Sequence, residues 1–441
     1  MSNHILLPAE FLNHTETVMG AERFNRFLSA MDEEPPVSIR LNPKKVHPLS
    51  TEPCAQNDEP CTMNYALTQV PWCQYGLYLP HRPNFTFDPL LHAGCYYVQE
   101  AASQFVVHCL QYVMENILSQ QTAGAGPCTL HFALDLCAAP GGKSTALRTA
   151  LPEDCLLVSN EPVRQRAQVL SENMQKWGYD GCVVTNNYPR DFARNGFQQL
   201  FDLVLCDVPC SGEGMFRKDP AAISEWSQQG VERCQRLQRQ IVADIWPCLR
   251  DDGIMIYSTC TFNTRENEEN VLWIKERLDA DIVEVPVREE WGICGSLLPA
   301  LAAPVCRFIP GLTRSEGLFV AVLRKRGEGM AAQGKKTAAK VKAALARMNV
   351  LAPTAAEPLS VSLDRGRYPI VELAFSTAVS YLRREAIVLP PETPRGQVIV
   401  SFRGHPLGFA KNIGNRANNL YPKEWAIRTT YIPAEYEPVL A

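Results

Sequence analysis

The 441-residue sequence has no apolar run approaching the ~18–20 residues that a membrane-crossing helix needs. Its opening, MSNHILLPAEFLNH, lacks a basic stretch followed by an apolar core, so no secretory signal is expected. No C-x-x-C pair occurs, and Cys206 and Cys210, in C-x-x-x-C spacing, have no histidine-rich stretch to complete a zinc site. Internal repeats are absent, and so is an excess of positive charge, the formal net charge being −4. These absences argue against a membrane-crossing helix, a zinc site and a chain coated uniformly in basic residues. What remains is ordinary globular composition, 46% hydrophobic and 20% charged, long enough for two or three domains with cores of their own. Sixteen cysteines, many inside apolar strand-like runs, suit a reducing cytoplasm better than a disulfide framework.

The basic charge is clustered. Residues 331–347 (AAQGKKTAAKVKAALAR) carry five Lys or Arg and no acid, and residues 380–430 carry eight against three Glu. Clustered positive charge in an otherwise acidic chain is the footprint of a local nucleic-acid contact, weighed against a solvated linker and an ordinary surface face.

A helical opening (PAEFLNHTETVMGAERFNRFLSAM) leads into proline-punctuated, turn-rich sequence. From about Cys128 short apolar runs alternate with amphipathic stretches: FALDLC (132–137), CLLVSN (155–160), CVVT (182–185), FDLVLCD (201–207), IMIYSTC (254–260) and LFVAVL (318–323). That alternation predicts an α/β fold, a parallel sheet with helices on both faces. The Ala/Lys-rich segment reads as a linker or exposed helix, and a small strand-rich unit follows it.

Ligands of open parallel sheets sit beyond the carboxyl ends of the strands. The first end, DLCAAPGGKST (135–145), opens a helix with a glycine turn, where backbone can approach a ligand. Gly142-Lys143-Ser144 invites a P-loop reading, but the glycine required five residues earlier is Cys137. A dinucleotide fingerprint fails too, because only Gly141 and Gly142 are present. The second strand end adds Glu161, an acid suited to ribose hydroxyls. A glycine turn, a lysine for a carboxylate and an acid for a ribose describe a site for S-adenosylmethionine. Two further strands end in cysteine, FDLVLCDVPC and IMIYSTC. Neighbouring strands lie about 4.8 Å apart, so Cys210 and Cys260 can face one substrate if their strands are adjacent. Cys137 and Cys206 read as small buried hydrophobes.

DLCAAPGGKST, NEPVRQRAQVLSEN, FDLVLCDVPCSGEGMFRKDP and YSTCTFNTRENEENV together resemble the RNA (cytosine-5) methyltransferases of the Sun/RsmF type, and most of all the RsmF/YebU branch that acts on 16S ribosomal RNA. CYYVQEAAS (95–103) resembles the segment that closes that family's cofactor pocket. The resemblance implies a Rossmann-like class I methyltransferase with an N-terminal RNA-binding segment and a small C-terminal PUA-like β-rich domain. The corresponding divisions are 1–95, a methyltransferase domain at 96–326, a basic linker at 327–350 and the PUA-like domain at 351–441. It implies that Cys137, Ala138, Ala139, Pro140, Gly141, Gly142 and Lys143 hold S-adenosylmethionine, with Glu161 on the ribose and Arg166 and Asp207 nearby. Where relatives often carry an acid for the adenine, this chain reads TNNYPRD, leaving Asn187 or Asp191 in that place.

It further implies that Cys260 attacks carbon 6 of cytosine, that Asp207 holds the base near nitrogen 3, and that Cys210 helps the product depart. Cys260 needs nearby positive charge or hydrogen bonding to react, a free thiol having a pKa of about 8.5; Lys143 and Lys218 are the candidates. Arg217 and Lys218 are expected to contact RNA. Phe409, Tyr421 and Trp425 are either stacking platforms or the core of the small domain, and Trp425 reads as core. The expected partner is small-subunit ribosomal RNA or the 30S subunit, met by a cytoplasmic monomer without a metal. The rivals are a transfer-RNA cytosine-5 methyltransferase and a non-catalytic RNA-binding assembly factor. Pro209-Cys210 and Glu269-Asn270-Val271 also suggest a DNA cytosine methylase, but the triplet falls in a helical stretch and the STC cysteine belongs to the RNA type.

Overall fold

The computed structural model describes residues 6–46, 67–118, 130–299, 303–327, 335–353, 357–429 and 436–440. The helical opening forms two helices, Ala9–Met19 and Ala21–Met31, broken at Gly20, whose φ of 76° ends the first. Phe11, Phe24, Phe27 and Met31 bury their inner faces against Phe216 and Phe262 of the next domain. A small antiparallel sheet follows, built of β1 (Val37–Leu41), β2 (Thr68–Gln69), β3 (Gly76–Leu79) and β4 (Tyr96–Val98) in the order β2-β3-β1-β4.

The central sheet contains β5 (Phe132–Asp135), β6 (Leu156–Asn160), β7 (Cys182–Thr185), β8 (Phe201–Asp207), β9 (Leu249–Thr259), β10 (Ala280–Val283), β11 (Cys306–Phe308) and β12 (Leu318–Lys325). Its order is β10-β12-β9-β8-β5-β6-β7, with β11 pairing β12. This is a Rossmann-like arrangement. All six apolar runs named above lie on strands of this sheet, and β5 to β9 are parallel as expected. The sheet as a whole is mixed, however, because β12 runs antiparallel to both β9 and β10. The helix Glu268–Arg277 carries the chain from β9 across to β10, leaving a gap between them. The chain then returns through β11 and a short connection that is too tight for a parallel crossover, so LFVAVL fills the gap from the opposite end.

The crossover from β5 leads to β6 on one side, while the chain returning from β7 enters β8 on the other. The crevice between these diverging connections lies beyond the ends of β5 and β8, where a ligand is accommodated.

The helix Lys335–Leu345 buries Val341 and Ala344 in the core that also holds Phe192 and Phe197. After it, Val350 bridges Thr185, so this segment runs along the free edge of β7. The part of the basic stretch at 331–334 lies outside the described residues. The C-terminal sheet has β13 (Ile370–Glu372), β14 (Gly396–Phe402), β15 (His405–Asn412) and β16 (Ala417–Asn419) in that order. It shares one apolar core with the N-terminal sheet, Leu41, Phe87, Leu90 and Tyr96 packing with Tyr381, Val400, Tyr421 and Trp425. Tyr421, 1% exposed, and Trp425, 7%, lie inside that core, while Phe409, 6% exposed, is buried against Tyr368.

One buried ion pair ties the segment after β9 to β11. Arg307 and Glu268 are both essentially inaccessible, and Arg307 Nη1 also donates to the Phe262 carbonyl at 2.8 Å. Removing one partner strands the other charge in the core. Glu268→Ala should therefore cost about 3–5 kcal/mol in a urea melt. Glu22→Ala, which breaks an exposed pair with Arg26, should cost less than about 1 kcal/mol.

Candidate active site

Beyond β5 the chain turns through Leu136–Gly141 into the helix Gly142–Ala150. Gly141 has φ 115°, and a Cβ there would press on Leu170 and Asn173 at 3.3 and 3.4 Å. At Gly142 a Cβ would meet the Tyr97 ring at 3.3 Å. The N-terminal sheet grips this turn directly. Tyr97 Oη donates to the Pro140 carbonyl at 3.2 Å, and Asn173 Nδ2 donates to the same oxygen at 2.8 Å. Arg40 of β1 is buried, donates to Gln99 Oε1 at 2.8 Å and to Thr145 Oγ1 at 2.6 Å, and stacks 4.5 Å from the Trp177 ring centroid. Burial lowers its pKa to about 10, so it stays charged at neutral pH.

The rest of the turn is held from the β6 side. The Ala138 N–H donates to the Asn160 carbonyl at 2.8 Å, and Arg166 Nη2 donates to the Ala139 carbonyl at 3.1 Å. Arg166 also approaches the Glu161 carboxylate at 3.4 Å. Glu161 is 1% exposed and accepts from the Val163 N–H at 2.9 Å, which leaves lone pairs for further donors. Cys137 is half-buried, and Cys206 is wholly in the core.

At the end of β7 the Asn187 side chain accepts from the Asn349 N–H at 3.1 Å and donates to its carbonyl at 3.2 Å. It thereby clasps the segment that runs along the β7 edge. Asp191 accepts from the Tyr188 N–H at 2.9 Å and caps the helix Pro189–Arg194.

Asp135 lies at the end of β5, where burial raises its pKa to about 7. Its Oδ2 accepts from Ser144 Oγ at 2.6 Å, and its buried Oδ1 has no hydrogen-bond partner among the described residues. An unpaired buried carboxylate oxygen, a glycine turn and the Glu161 acceptor fit a nucleoside ligand that carries a cationic group. The residues present therefore suit S-adenosylmethionine.

Strands β8 and β9 pair in parallel with Asp207 opposite Ser258. Lys143 Nζ reaches across from the glycine-turn helix to Asp207 Oδ2 at 2.8 Å, and Ser258 Oγ donates to Oδ1 at 2.7 Å. Burial alone would depress the Lys143 ammonium, but Asp207 outweighs it and the net shift is upward. Lys143 also interacts electrostatically with Cys260, whereas Lys218 lies 3.5 Å from Glu316. Of the two cations considered for Cys260, the structure brings Lys143.

The two cysteines converge. Cys210 Sγ and Cys260 Sγ are 3.2 Å apart. The hydrogen bond to Cys260, followed by burial, raises the Cys210 pKa well above that of a free thiol. Cys210 thus keeps its proton, and either sulfur can be the donor in this pair. Arg217 is not at the surface. Its side chain is 4% exposed and is used up by Glu316, the Ala30 carbonyl at 2.9 Å and the Ser315 carbonyl at 3.1 Å. Lys218, 30% exposed, lines a groove of about 1040 Å³ together with Arg82 and Arg314.

Several side chains that shape the site gave no sequence signal of their own. Glu213, 2% exposed, accepts from the Phe262 and Asn263 N–H groups at 2.7 and 3.0 Å, stitching the loop after β8 to the loop after β9. Glu266 and Gln238, both fully buried, lie behind the same loops. Glu213 and Glu266 were visible as letters in CSGEG and NTREN, but a lone acid in a loop ordinarily reads as surface. Glu269-Asn270-Val271 begins at the second residue of the helix Glu268–Arg277, and Asn270 bonds Gln238 and Tyr257 there.

Three family models match in series: the N-terminal domain of 16S rRNA methyltransferase RsmF at residues 7–101, 16S rRNA methyltransferase RsmB/F at 127–324, and the methyltransferase RsmF PUA domain at 368–427. Ribosomal RNA small subunit methyltransferase F of Pectobacterium atrosepticum is 32% identical over 328 residues, spanning 73% of this chain and 63% of that relative's length. The protein of the same name from Erwinia tasmaniensis is 28% identical, with 96% of this chain and 97% of the relative covered. Among solved structures, NSun6 from Pyrococcus horikoshii with SFG superposes over 73% of this chain and 99% of its own, with a TM-score of 0.56 and 18% identity, which shows a shared fold. With its three matched parts in this order, the chain is similar throughout to 16S rRNA methyltransferases of the RsmB/F family, in the RsmF form that carries a PUA domain.

Proposed function

We propose that this chain methylates carbon 5 of a cytosine in small-subunit ribosomal RNA, using S-adenosylmethionine and a covalent cysteine adduct. The observation that carries this reading is the Cys210–Cys260 thiol pair, 3.2 Å apart, next to an aspartate fixed by a lysine and a serine. The substrate class follows the names of the relatives.

Carbon 5 of cytosine is a poor nucleophile until a thiolate adds at carbon 6. Cys260 forms that sulfur–carbon bond, with Lys143 nearby to favour the thiolate and the Cys210 S–H donating to it. Addition moves negative charge toward nitrogen 3. Asp207 holds that edge of the base by hydrogen bonding, and the Lys143 ammonium at 2.8 Å offsets the charge gathered there. S-Adenosylmethionine, held by the Cys137–Lys143 turn with Glu161, supplies the methyl group. The carbon 5 proton must then leave, and as its electron pair reforms the ring double bond the Cys260–carbon 6 bond breaks. Cys210 stands beside the departing sulfur, where it moves a proton between the base and Cys260. The target cytosine must be unpaired or flipped out to reach the thiols. Lys218 is the member of the Arg-Lys pair open to the RNA backbone, and Arg217 instead holds the loop against the N-terminal helices.

Cys260→Ala should lower methyl transfer to ribosomal RNA by at least about three orders of magnitude in a tritiated-methyl assay. Near-normal activity in that variant would refute the covalent route. Cys210→Ala should still attack but release poorly, leaving a protein–RNA adduct that survives a denaturing gel. A variant that turns over without accumulating adduct would rule out the release role.

A further inference from the structure

Cys210 lies between two peptide groups that are both held from behind. Gln238 Nε2, on the helix Gln228–Ile245, donates to the Pro209 carbonyl at 2.9 Å. Glu266 Oε2 accepts from the Ser211 N–H at 3.0 Å. The two holding side chains also bond each other, Gln238 Nε2 donating to Glu266 Oε2 at 2.6 Å. Both are inaccessible to solvent. Each is locked in turn. Gln238 Oε1 accepts from Asn270 Nδ2 at 2.8 Å, and Glu266 Oε1 accepts from Asn263 Nδ2 at 2.9 Å. Asn263 Nδ2 also donates to Thr261 Oγ1 at 2.9 Å, one residue after Cys260.

Burying a carboxylate here is costly, and burial raises the Glu266 pKa to about 7. A neutral, apolar residue would fill the volume at lower cost if the only requirement were packing. Neither Gln238 nor Glu266 hydrogen-bonds a thiol in these contacts, although the Glu266 carboxylate acts electrostatically on Cys210. What they fix is the backbone on either side of one cysteine, and through Asn263 and Thr261 they tie it to the loop of the other.

We propose that Gln238 and Glu266 form a clamp that positions Cys210 for product release, setting the distance between its sulfur and that of Cys260. This rests on the division of labour proposed above, in which Cys260 attacks and Cys210 assists departure. Cys260 directly follows β9, and the clamp reaches its loop only indirectly, through Asn263 and Thr261, whereas it holds both peptide groups that flank Cys210. Loosening the clamp therefore slows release more than attack.

The test compares Gln238→Ala, Glu266→Ala and Glu266→Gln with Cys210→Ala and the wild type, all as full-length protein on ribosomal RNA. Gln238→Ala and Glu266→Ala should accumulate the denaturant-stable RNA adduct and should lose at least about tenfold more in multiple turnover than in the first turnover. Glu266→Gln, which keeps an acceptor for Ser211, should recover part of the release rate. A second measurement needs no RNA. Diamide, an azo oxidant, takes two electrons and two protons from a thiol pair as the sulfur–sulfur bond forms. Peptide mapping should find the Cys210–Cys260 disulfide forming several-fold more slowly in the two alanine variants than in the wild type.

Equal losses in first and later turnovers without adduct, together with unchanged disulfide formation, would overturn the clamp. If the clamp variants fail in this way while Cys210→Ala does accumulate adduct, the clamp alone is wrong. If Cys210→Ala also turns over without adduct, the release role falls and the clamp with it.

Discussion

The site depends on the parallel pairing of β8 with β9. With Asp207 opposite Ser258, each strand delivers its functional group at the same height above the sheet, and the thiols that follow meet at 3.2 Å. A shift of one residue in that register would turn Asp207 to the other face and separate the sulfurs. The interior reinforces the register, since Val204, Cys206, Met255 and Tyr257 of these two strands all lie in one apolar core. Core packing thereby becomes geometry at the ligand edge. The strands contribute rigidity, and the loops beyond them contribute chemistry.

A second constraint joins the two halves of the site. Lys143 belongs to the helix that follows the glycine turn, and Asp207 ends β8, the strand that leads to Cys210. Their 2.8 Å bond fixes one half to the other. The N-terminal sheet presses on the same helix through Arg40 and Tyr97, and the C-terminal sheet shares a core with the N-terminal one. Consequently the C-terminal sheet is linked, through the N-terminal one, to the helix that borders the crevice.

Much of this was legible from the chain alone, because the informative residues sit at strand ends. DLCAAPGGKST, SNEP, CDVPC and STCT each follow an apolar run, and in a parallel sheet such ends share one edge. The direction of LFVAVL was not legible, since an apolar run looks the same either way and β10 and β11 are too short to announce the hairpin that reverses it. Arg217 illustrates a second limit. An arginine beside a catalytic loop reads as a substrate contact, but here Glu316 and two carbonyls enclose it. Asn187 is similar, since its amide partner lies 162 residues later. Glu213 and Glu266 were overlooked because burial of an acid depends on partners contributed by other loops, which no local pattern encodes.

The division of roles between the two thiols is best tested on trapped substrate. Ribosomal RNA carrying 5-fluorocytidine blocks the loss of the group at carbon 5, so the enzyme remains attached through the sulfur that attacked carbon 6. Digestion and mass spectrometry of the cross-linked peptide then identify that sulfur. The account predicts the nucleotide on Cys260, within the STCTFN peptide; attachment through Cys210 would contradict it.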